Sequence, residues 1–521
     1  MTRTASRSSP SSSTSRCRTD MRILDTLARS AWLYPDHAAV AVVGGPAVSY
    51  FELHRRALAL AEFLRSRGIR RGDRIALLAD NGLVYFDLVT AAAAVGAAVV
   101  PISTKLVGDE IRFIVADSAP ALGVADDRHV GDLRAAAGSE FPLLTVDDDE
   151  YVRAVSGPPL ERAHTDKVDE SDTALILYTS GTTGRPKGVC LSQRALTSNG
   201  LTLCLVQRQR PTDVFMTTTP LYHAAAGTRV VSMLTDGQTH VVLPSFDVPG
   251  FLDAVREHRV TSTVLVPTQL QRILDAPELD VADLSSLRLI VYGAAPSAAG
   301  LAARAMTRLG VGMYQGYGLT EATTNLTALL PEDHTDGVPG RLDSCGRPVP
   351  GVMLELRNDA GEPVPVGQPG EIWVRADKIM SGYWNAPELT AEVMRDGWLC
   401  TGDLARLDEA GYLYIVGRSK EMLISGGVNV YPREIERVLE LHPAVVEAAV
   451  VGVPDDRWGE VPVAFVQTAG PGVVTVEELL SLCEAHLSRI KRPTAVHVMR
   501  ELPRTAVGKV RKVDLQTAVP S

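Results

Sequence analysis

The sequence predicts an α/β protein, α+β when taken whole: a large amino-terminal body of helix-covered sheets with a small β-rich subdomain, and then, after a hinge, a small mobile α+β carboxy-terminal domain. Three observations predict this. Apolar helical patterns alternate with short β-rich runs from Ile23 onward, the texture changes near residue 350 to shorter strands, and the polar, glycine-led segment Gly417-Arg-Ser-Lys-Glu421 precedes a compact second α+β pattern. Strands and helices that take turns form parallel sheets covered by helices, because joining two parallel strands needs a crossover.

Taken in order, residues 1–20 are dominated by Ser, Thr and Arg without an apolar segment. Such a stretch cannot bury enough surface to offset the entropy of ordering it, so a disordered tail is expected, and it lacks the hydrophobic centre of a secretion signal. The body is expected over 21–418. It opens with the strand Arg74-Ile-Ala-Leu-Leu78, an Ala-rich helix over 87–96 and a strand through Ala97-Ala-Val-Val-Pro101, and the same rhythm recurs at 241–243, 262–266 and 287–292. Short strands follow at 352–357 and 371–374, with a hairpin over 405–416 that turns at Asp408 to Gly411. The hinge is placed at 419–421 and the lid domain at 422–515. No fixed-period repeat is present, which excludes solenoids and propellers.

A chain of 521 residues exceeds the size at which one core stops growing. Its 45% hydrophobic and 22% charged residues with a net charge of −10 argue against a nucleic-acid binder, although an acidic enzyme can still carry a local basic pocket for phosphate. No apolar run reaches the roughly 18 residues a membrane helix needs, and a cytoplasmic protein is expected. The six cysteines are scattered without a CxxC pair, so neither structural zinc nor a disulfide framework is expected.

The strongest chemical signal is Tyr178-Thr-Ser-Gly-Thr-Thr-Gly-Arg-Pro-Lys-Gly188, which follows the apolar strand Ala174-Leu-Ile-Leu177. Its glycines expose backbone N–H groups, the hydroxyls of Thr179, Ser180, Thr182 and Thr183 flank Gly181 and Gly184, and Lys187 adds a point charge, a set that suits a polyphosphate. It is not a GxxxxGK[ST] loop, because Lys187 is followed by Gly188. A plain glycine turn would explain the glycines but not the hydroxyls and the lysine.

This segment resembles the phosphate loop of the adenylate-forming superfamily, which comprises the acyl- and aryl-CoA synthetases, luciferases and carrier-loading adenylation domains. The resemblance continues in the family's order through Pro220-Leu-Tyr-His223, Tyr292-Gly-Ala-Ala-Pro296, Gln315-Gly-Tyr-Gly-Leu-Thr-Glu321, Thr401-Gly-Asp403, Gly417-Arg418, Ser425-Gly-Gly-Val-Asn429 and Pro503-Arg-Thr-Ala-Val-Gly-Lys509. It spans about residues 30 to 512 and is nearest in look to the fatty- and aryl-acid CoA ligases.

The resemblance implies an ATP-dependent ligase that joins a carboxylate to the α-phosphorus of ATP with release of pyrophosphate, then passes the acyl group to coenzyme A. Glu321 would hold Mg²⁺ against the phosphates, Thr320 would contact phosphate and substrate carboxylate, and His223 would gate the acyl site. Lys509 would stabilise the attacking carboxylate and the pentavalent phosphorus. Nucleotide contacts would come from Thr179, Ser180, Gly181, Thr182, Thr183, Gly184 and Lys187; from Gly293, Ala294 and Ala295; from Gln315, Gly316 and Tyr317; and from Asp403 and Arg418 at the ribose. Lys420 would be the hinge, and Gly426 and Gly427 would line the route of coenzyme A. Without the surrounding motifs, Thr320-Glu321 reads as a solvated helix start, Asp403 and Arg418 as a surface ion pair, and Lys509 as part of a solvated basic run.

For the acid, amino-acid-specific relatives place an aspartate close after the equivalent of Pro220, whereas this chain has His223 followed by Ala224-Ala-Ala-Gly227. The acyl pocket is expected at Tyr222, His223, Ala224, Gly318, Leu319, Ala322 and Thr323, which offer no Lys or Arg, so an apolar or aromatic monocarboxylic acid is expected. Transfer to an acyl carrier protein or another acceptor, or activation of another oxyanion, stays open. A catalytically silent nucleotide-binding protein is the reading from another class, disfavoured by the presence of Lys187, Glu321 and Lys509 together. Neither a monomer nor a homodimer is excluded.

Overall fold

The computed structural model describes residues 21–161, 165, 167–180, 185–293, 299–426, 428–455, 457–468, 470, 472–504 and 510–518. The expected tail, residues 1–20, lies outside the described residues.

The alternation of helix and strand produces two large sheets. One contains Arg74–Leu78, Ala98–Pro101, Leu122–Ala125, Leu143–Thr145 and Thr173–Ser180 as parallel strands, and ends in the antiparallel Pro186–Ser192 and Gly382–Tyr383. The other runs parallel through Gly312–Tyr317, Leu289–Gly293, Ser262–Leu265, Val214–Thr217, Thr239–Val242 and Ala38–Val42, with antiparallel strands at both edges. The Ala-rich stretch is the helix Val84–Val95, every residue of which from Val84 to Ala94 is buried. Small side chains on all faces let it sit between layers: it shares one core with the helix Tyr50–Ser66, with Leu221 and Ala226 after the Pro220 motif, and with Ala322 and Leu326.

The shorter strands near residue 350 form an antiparallel sheet of Met353–Arg357, Gly370–Arg375, Trp398–Leu407, Leu413–Arg418 and Met394–Arg395. The hairpin is longer than its sequence pattern suggests, because Trp398–Leu407 continues back to pair with Gly370–Arg375. Its turn is closed by Asp408, whose carbonyl accepts from Gly411 N at 3.0 Å while its own N–H reaches Tyr412 O at 3.1 Å. The hairpin makes Asp403 and Arg418 direct cross-strand partners.

After Arg418 a 3₁₀ turn, Ser419–Glu421, leads to a further sheet of Leu423–Ser425, Val428–Val430, Val445–Asp455, Gly459–Thr468 and Ala495–Met499. Its apolar faces pack among themselves and against Ile435, Leu439, Leu479 and Cys483 of this segment's own helices. No helix of the described residues is long and apolar enough to cross a membrane.

Candidate active site

The hydroxyl-rich segment begins and ends on two paired strands. Thr173–Ser180 pairs antiparallel with Pro186–Ser192, with Thr179 opposite Lys187 and Ser180 opposite Pro186. Gly181, Thr182, Thr183 and Gly184 lie outside the described residues. Lys187 is half-buried, with Nζ 5.1 Å from the centre of the Tyr383 ring. The glycine after it is a packing requirement, since a Cβ at Gly188 would stand 2.9 Å from Ile176 Cγ2 and 3.1 Å from Trp384 Cβ.

Gln315-Gly-Tyr-Gly-Leu-Thr-Glu321 begins on a strand and ends in the 3₁₀ turn Thr320–Ala322. The turn doubles back tightly: Thr324 N bonds Leu319 O at 3.0 Å and Leu326 N bonds Tyr317 O at 2.7 Å. Thr323 and Thr324 take φ of 48° and 80°, left-handed values that cost a β-branched residue strain and persist only where the surroundings enforce them. Gly318 faces this return strand so closely that a Cβ would lie 2.1 Å from Thr324 O.

Residues 378–383 supply that enforcement. Met380 N bonds Glu321 O at 2.7 Å, Thr323 Oγ1 donates to Lys378 O at 3.1 Å, Lys378 Nζ donates to Asn325 O at 2.5 Å, and the Tyr383 hydroxyl donates to Glu321 Oε1 at 2.9 Å. Thr320 and Glu321 are therefore held from a segment about sixty residues away, with Lys187 over the same tyrosine. Sequence reasoning missed Lys378 and Tyr383, because they fall in an irregular stretch with no periodicity to mark them.

Lys378 is 1% exposed, and no carboxylate pairs with it among the described residues. Burial pushes its ammonium group down to about 7. In an unfolded chain a lysine titrates near about 10.4, so between those values the unfolded chain keeps a proton that the folded chain has lost. Stability from this group is flat below pH 7 and rises by about 1.4 kcal/mol per pH unit above it. In Lys378→Met that contribution is removed, so the stability of the variant relative to the parent should fall by about 3 kcal/mol between pH 7 and pH 9 in urea unfolding. Parallel profiles for the two proteins would contradict this.

At the other end of the cleft, Tyr317 is fixed by its hydroxyl, which donates to Asp403 Oδ2 at 2.7 Å, while Arg418 Nε reaches Asp403 Oδ1 at 3.0 Å. Burial, together with Asp403 beside it, holds the Tyr317 phenol well above its ordinary range, so it remains a donor. Gln315 accepts from the Tyr292 hydroxyl at 3.4 Å, and Gly293 lies directly beside Gly316 in the parallel ladder. Ala294 and Ala295 lie outside the described residues.

His223 caps the helical turn Ala224–Gly227 and meets Tyr222 edge to face at 4.6 Å between ring centres. Asn81 holds this segment in place: its Oδ1 accepts from Leu221 N at 2.7 Å and its Nδ2 donates to Thr219 O at 3.1 Å. Ala224, Tyr317 and Leu319 pack on the same large core, which brings the Pro220 motif against the Gln315 motif. Ala322 and Thr323, expected along the acyl wall, have no exposed surface.

The remaining expected residues lie beyond the hairpin. Lys420 is exposed in the 3₁₀ turn, and Gly426, with φ of 54°, donates its N–H to Trp458 O at 2.8 Å. Gly427 and Lys509 lie outside the described residues. A separate group of possible metal ligands, Asp80, Asp126 and His129, is already engaged: Asp126 accepts from Asp80 N and His129 N, and Asp80 pairs with Arg128 at 2.9 Å. The cysteines described are free thiols.

The family model described as AMP-binding enzyme matches residues 27–384, and that of the AMP-binding enzyme C-terminal domain matches 434–509. The chain belongs to the AMP-binding enzyme family. Among curated members it is 39% identical over 481 residues to a feruloyl-CoA synthase of Amycolatopsis sp, an alignment covering 92% of this chain and 96% of that one. It is 36% identical to an indoleacetate–CoA ligase of Aromatoleum aromaticum, covering 96% of this chain and 98% of the relative. Among solved members, the amide bond synthetase of Marinactinospora thermotolerans superposes with a TM-score of 0.86 at 32% identity, covering 95% of this chain and 99% of that one. These are adenylate-forming enzymes, and the large body and smaller carboxy-terminal part of this chain match their architecture.

Proposed function

We propose that this AMP-binding enzyme is an ATP-dependent ligase that converts an aromatic or apolar monocarboxylic acid to its acyl-AMP and then to a coenzyme A thioester. The observation that carries the reading is the joined geometry at the end of the Gln315 strand: one short segment holds Tyr317 against the Asp403–Arg418 pair and, three residues on, presents Thr320 and Glu321 beside Tyr383 and Lys187. Such a row has an aromatic face for a base, a carboxylate for ribose hydroxyls, and then hydroxyl and charge for phosphates.

On this reading Asp403 accepts from the ribose hydroxyls with Arg418 in support, Tyr317 faces the adenine, and the Thr179–Lys187 hairpin covers the outgoing pyrophosphate. Thr320 donates to the phosphate, and Lys509 neutralises charge that develops as the carboxylate attacks. A magnesium ion fits the residues present, because a single carboxylate suffices when phosphate oxygens and water complete the shell, and Glu321 would be that carboxylate. When bound it would offset phosphate charge. His223, Ala224 and Leu319 carry no full charge with which to pair a second carboxylate, and the feruloyl-CoA and indoleacetate relatives are named for acids that carry aromatic rings. A cytoplasmic setting suits the soluble substrates.

The test is acid-dependent pyrophosphate release over a panel of acids, with coenzyme A, an acyl carrier protein or a simple amine as acceptor. Aromatic and medium-length apolar acids should outperform acetate, malonate and succinate, and coenzyme A should be the acceptor that speeds AMP formation. Malonate or succinate as the best substrate would refute the pocket. The amine arm is included because the amide bond synthetase shares the architecture.

A further inference from the structure

Regular strand pairing breaks off where Asp403 stands. Along the ladder between Gly370–Arg375 and Trp398–Leu407, Trp373 opposes Cys400 but Glu371 opposes Leu404, so Thr401, Gly402 and Asp403 stand against Ile372 alone. Such a bulge leaves its extra residues without ladder partners, bends the strand and re-aims a side chain. Gly402 takes φ of 73°, a left-handed value that glycine adopts without strain and can leave as easily. The strand pairing therefore does not fix the peptide that leads into Asp403.

Side chains fix it instead. Thr401 Oγ1 donates to Ile372 O at 2.9 Å and accepts from Asp403 N at 3.2 Å. Gly402 N donates to Glu371 Oε1 at 3.0 Å, while Glu371 Oε2 accepts from Trp373 Nε1 at 2.9 Å. The Trp373 side chain is buried in a small cluster with Trp398 and Cys400, a fixed post from which the carboxylate is braced against the bulge. Ser419 Oγ reaches Gly402 O at 3.2 Å from the 3₁₀ turn, but Ser419 is exposed and its contact is the longer one.

Glu371 suits this task. Two N–H donors converge on it, and among the described residues no Lys or Arg pairs with it. A carboxylate accepts on both oxygens, whereas a glutamine of the same length turns an NH₂ group toward one of the two donors. The contact is with the backbone of the residue before Asp403, so Glu371 acts through that residue and not on a ligand. Asp403 in turn is 7% exposed, and each of its oxygens already accepts once, from the Tyr317 hydroxyl at 2.7 Å and from Arg418 at 3.0 Å. The lone pair left on each oxygen is what it can offer a ligand, and where those lone pairs point depends on the Asp403 backbone. A displacement of about 1 Å at such a group costs about 100-fold.

We infer that Glu371 is the positioning residue of the ribose site: by closing the bulge at Gly402 it aims the free acceptors of Asp403 at the sugar hydroxyls, and so sets the preference for a ribonucleotide over a deoxyribonucleotide. The inference rests on the reading of Asp403 as the acceptor for the ribose hydroxyls and deepens it by naming what holds that acceptor in place. A site built to bond a substrate hydroxyl rejects the analogue that lacks it only while its own acceptor is held to the hydroxyl's position.

The experiment measures kcat/KM for pyrophosphate release with ATP, 2′-deoxy-ATP and 3′-deoxy-ATP, using the full chain and the best acid of the panel above, in the parent, Glu371→Ala and Glu371→Gln. The parent should favour ATP over at least one analogue by about 10- to 100-fold. In Glu371→Ala that preference should shrink by about tenfold, with the loss falling on ATP more than on the analogue. Glu371→Gln, which keeps the volume and one acceptor, should lie between the two. Should the alanine variant not fold, the glutamine variant decides by the same ratio. A merely structural role would lower the rate with all three nucleotides in proportion, so an unchanged preference in the variants overturns the inference. A parent that takes both analogues as well as ATP overturns the ribose reading of Asp403 and the inference with it.

Discussion

Lys509→Ala should lower acyl-AMP formation by about two to four powers of ten while largely sparing conversion of supplied acyl-AMP to thioester. On the proposed function the reason is electrostatic: its charge would be needed on the carboxylate and phosphorus during the first step and would obstruct an arriving thiol in the second. The segments flanking it are anchored, since Arg504 pairs with Glu447 at 2.5 Å and Lys512 pairs with Glu421 at 2.7 Å and with Glu436 at 2.8 Å. Glu421 is the last residue of the 3₁₀ turn that carries Lys420, so Lys512 is tied to the proposed pivot. Lys420→Pro should show the reverse pattern, because a fixed φ and a missing N–H stiffen the pivot. Both variants are assayed with acid plus ATP and, separately, with synthetic acyl-AMP plus coenzyme A. Equal losses in both assays for both variants would rule out a two-orientation lid.

Gly318→Ala is expected to cost about a hundredfold in pyrophosphate release and about 2–4 kcal/mol in stability. The neighbour its Cβ would meet at 2.1 Å is the Thr324 carbonyl, and Asn325 N follows at 2.8 Å, both backbone groups in a turn already held in left-handed geometry. Neither can rotate aside as a side chain does, so Thr320 and Glu321 must move. The control is Gly351→Ala, where φ is 82° but nothing lies within 4 Å of the added carbon. That variant should lose only about 1 kcal/mol and keep full activity. Indistinguishable urea midpoints and rates for the two variants would show that the turn tolerates displacement.

By itself the sequence determined the family and the fold class. Helix and strand alternation gave parallel sheets because apolar faces with different periods must be covered in layers, and the Asp403–Arg418 pairing followed from the hairpin that joins them. Residues of this kind are legible because local spacing and residue type already imply their job. The tertiary structure alone decided what stands behind them. Tyr383 on Glu321, Lys378 on Asn325 and Asn81 on Leu221 act across 53 to 140 residues, and each is an ordinary residue in an unremarkable local pattern. Which distant segment packs behind a motif is set by the whole fold, and no local pattern encodes that.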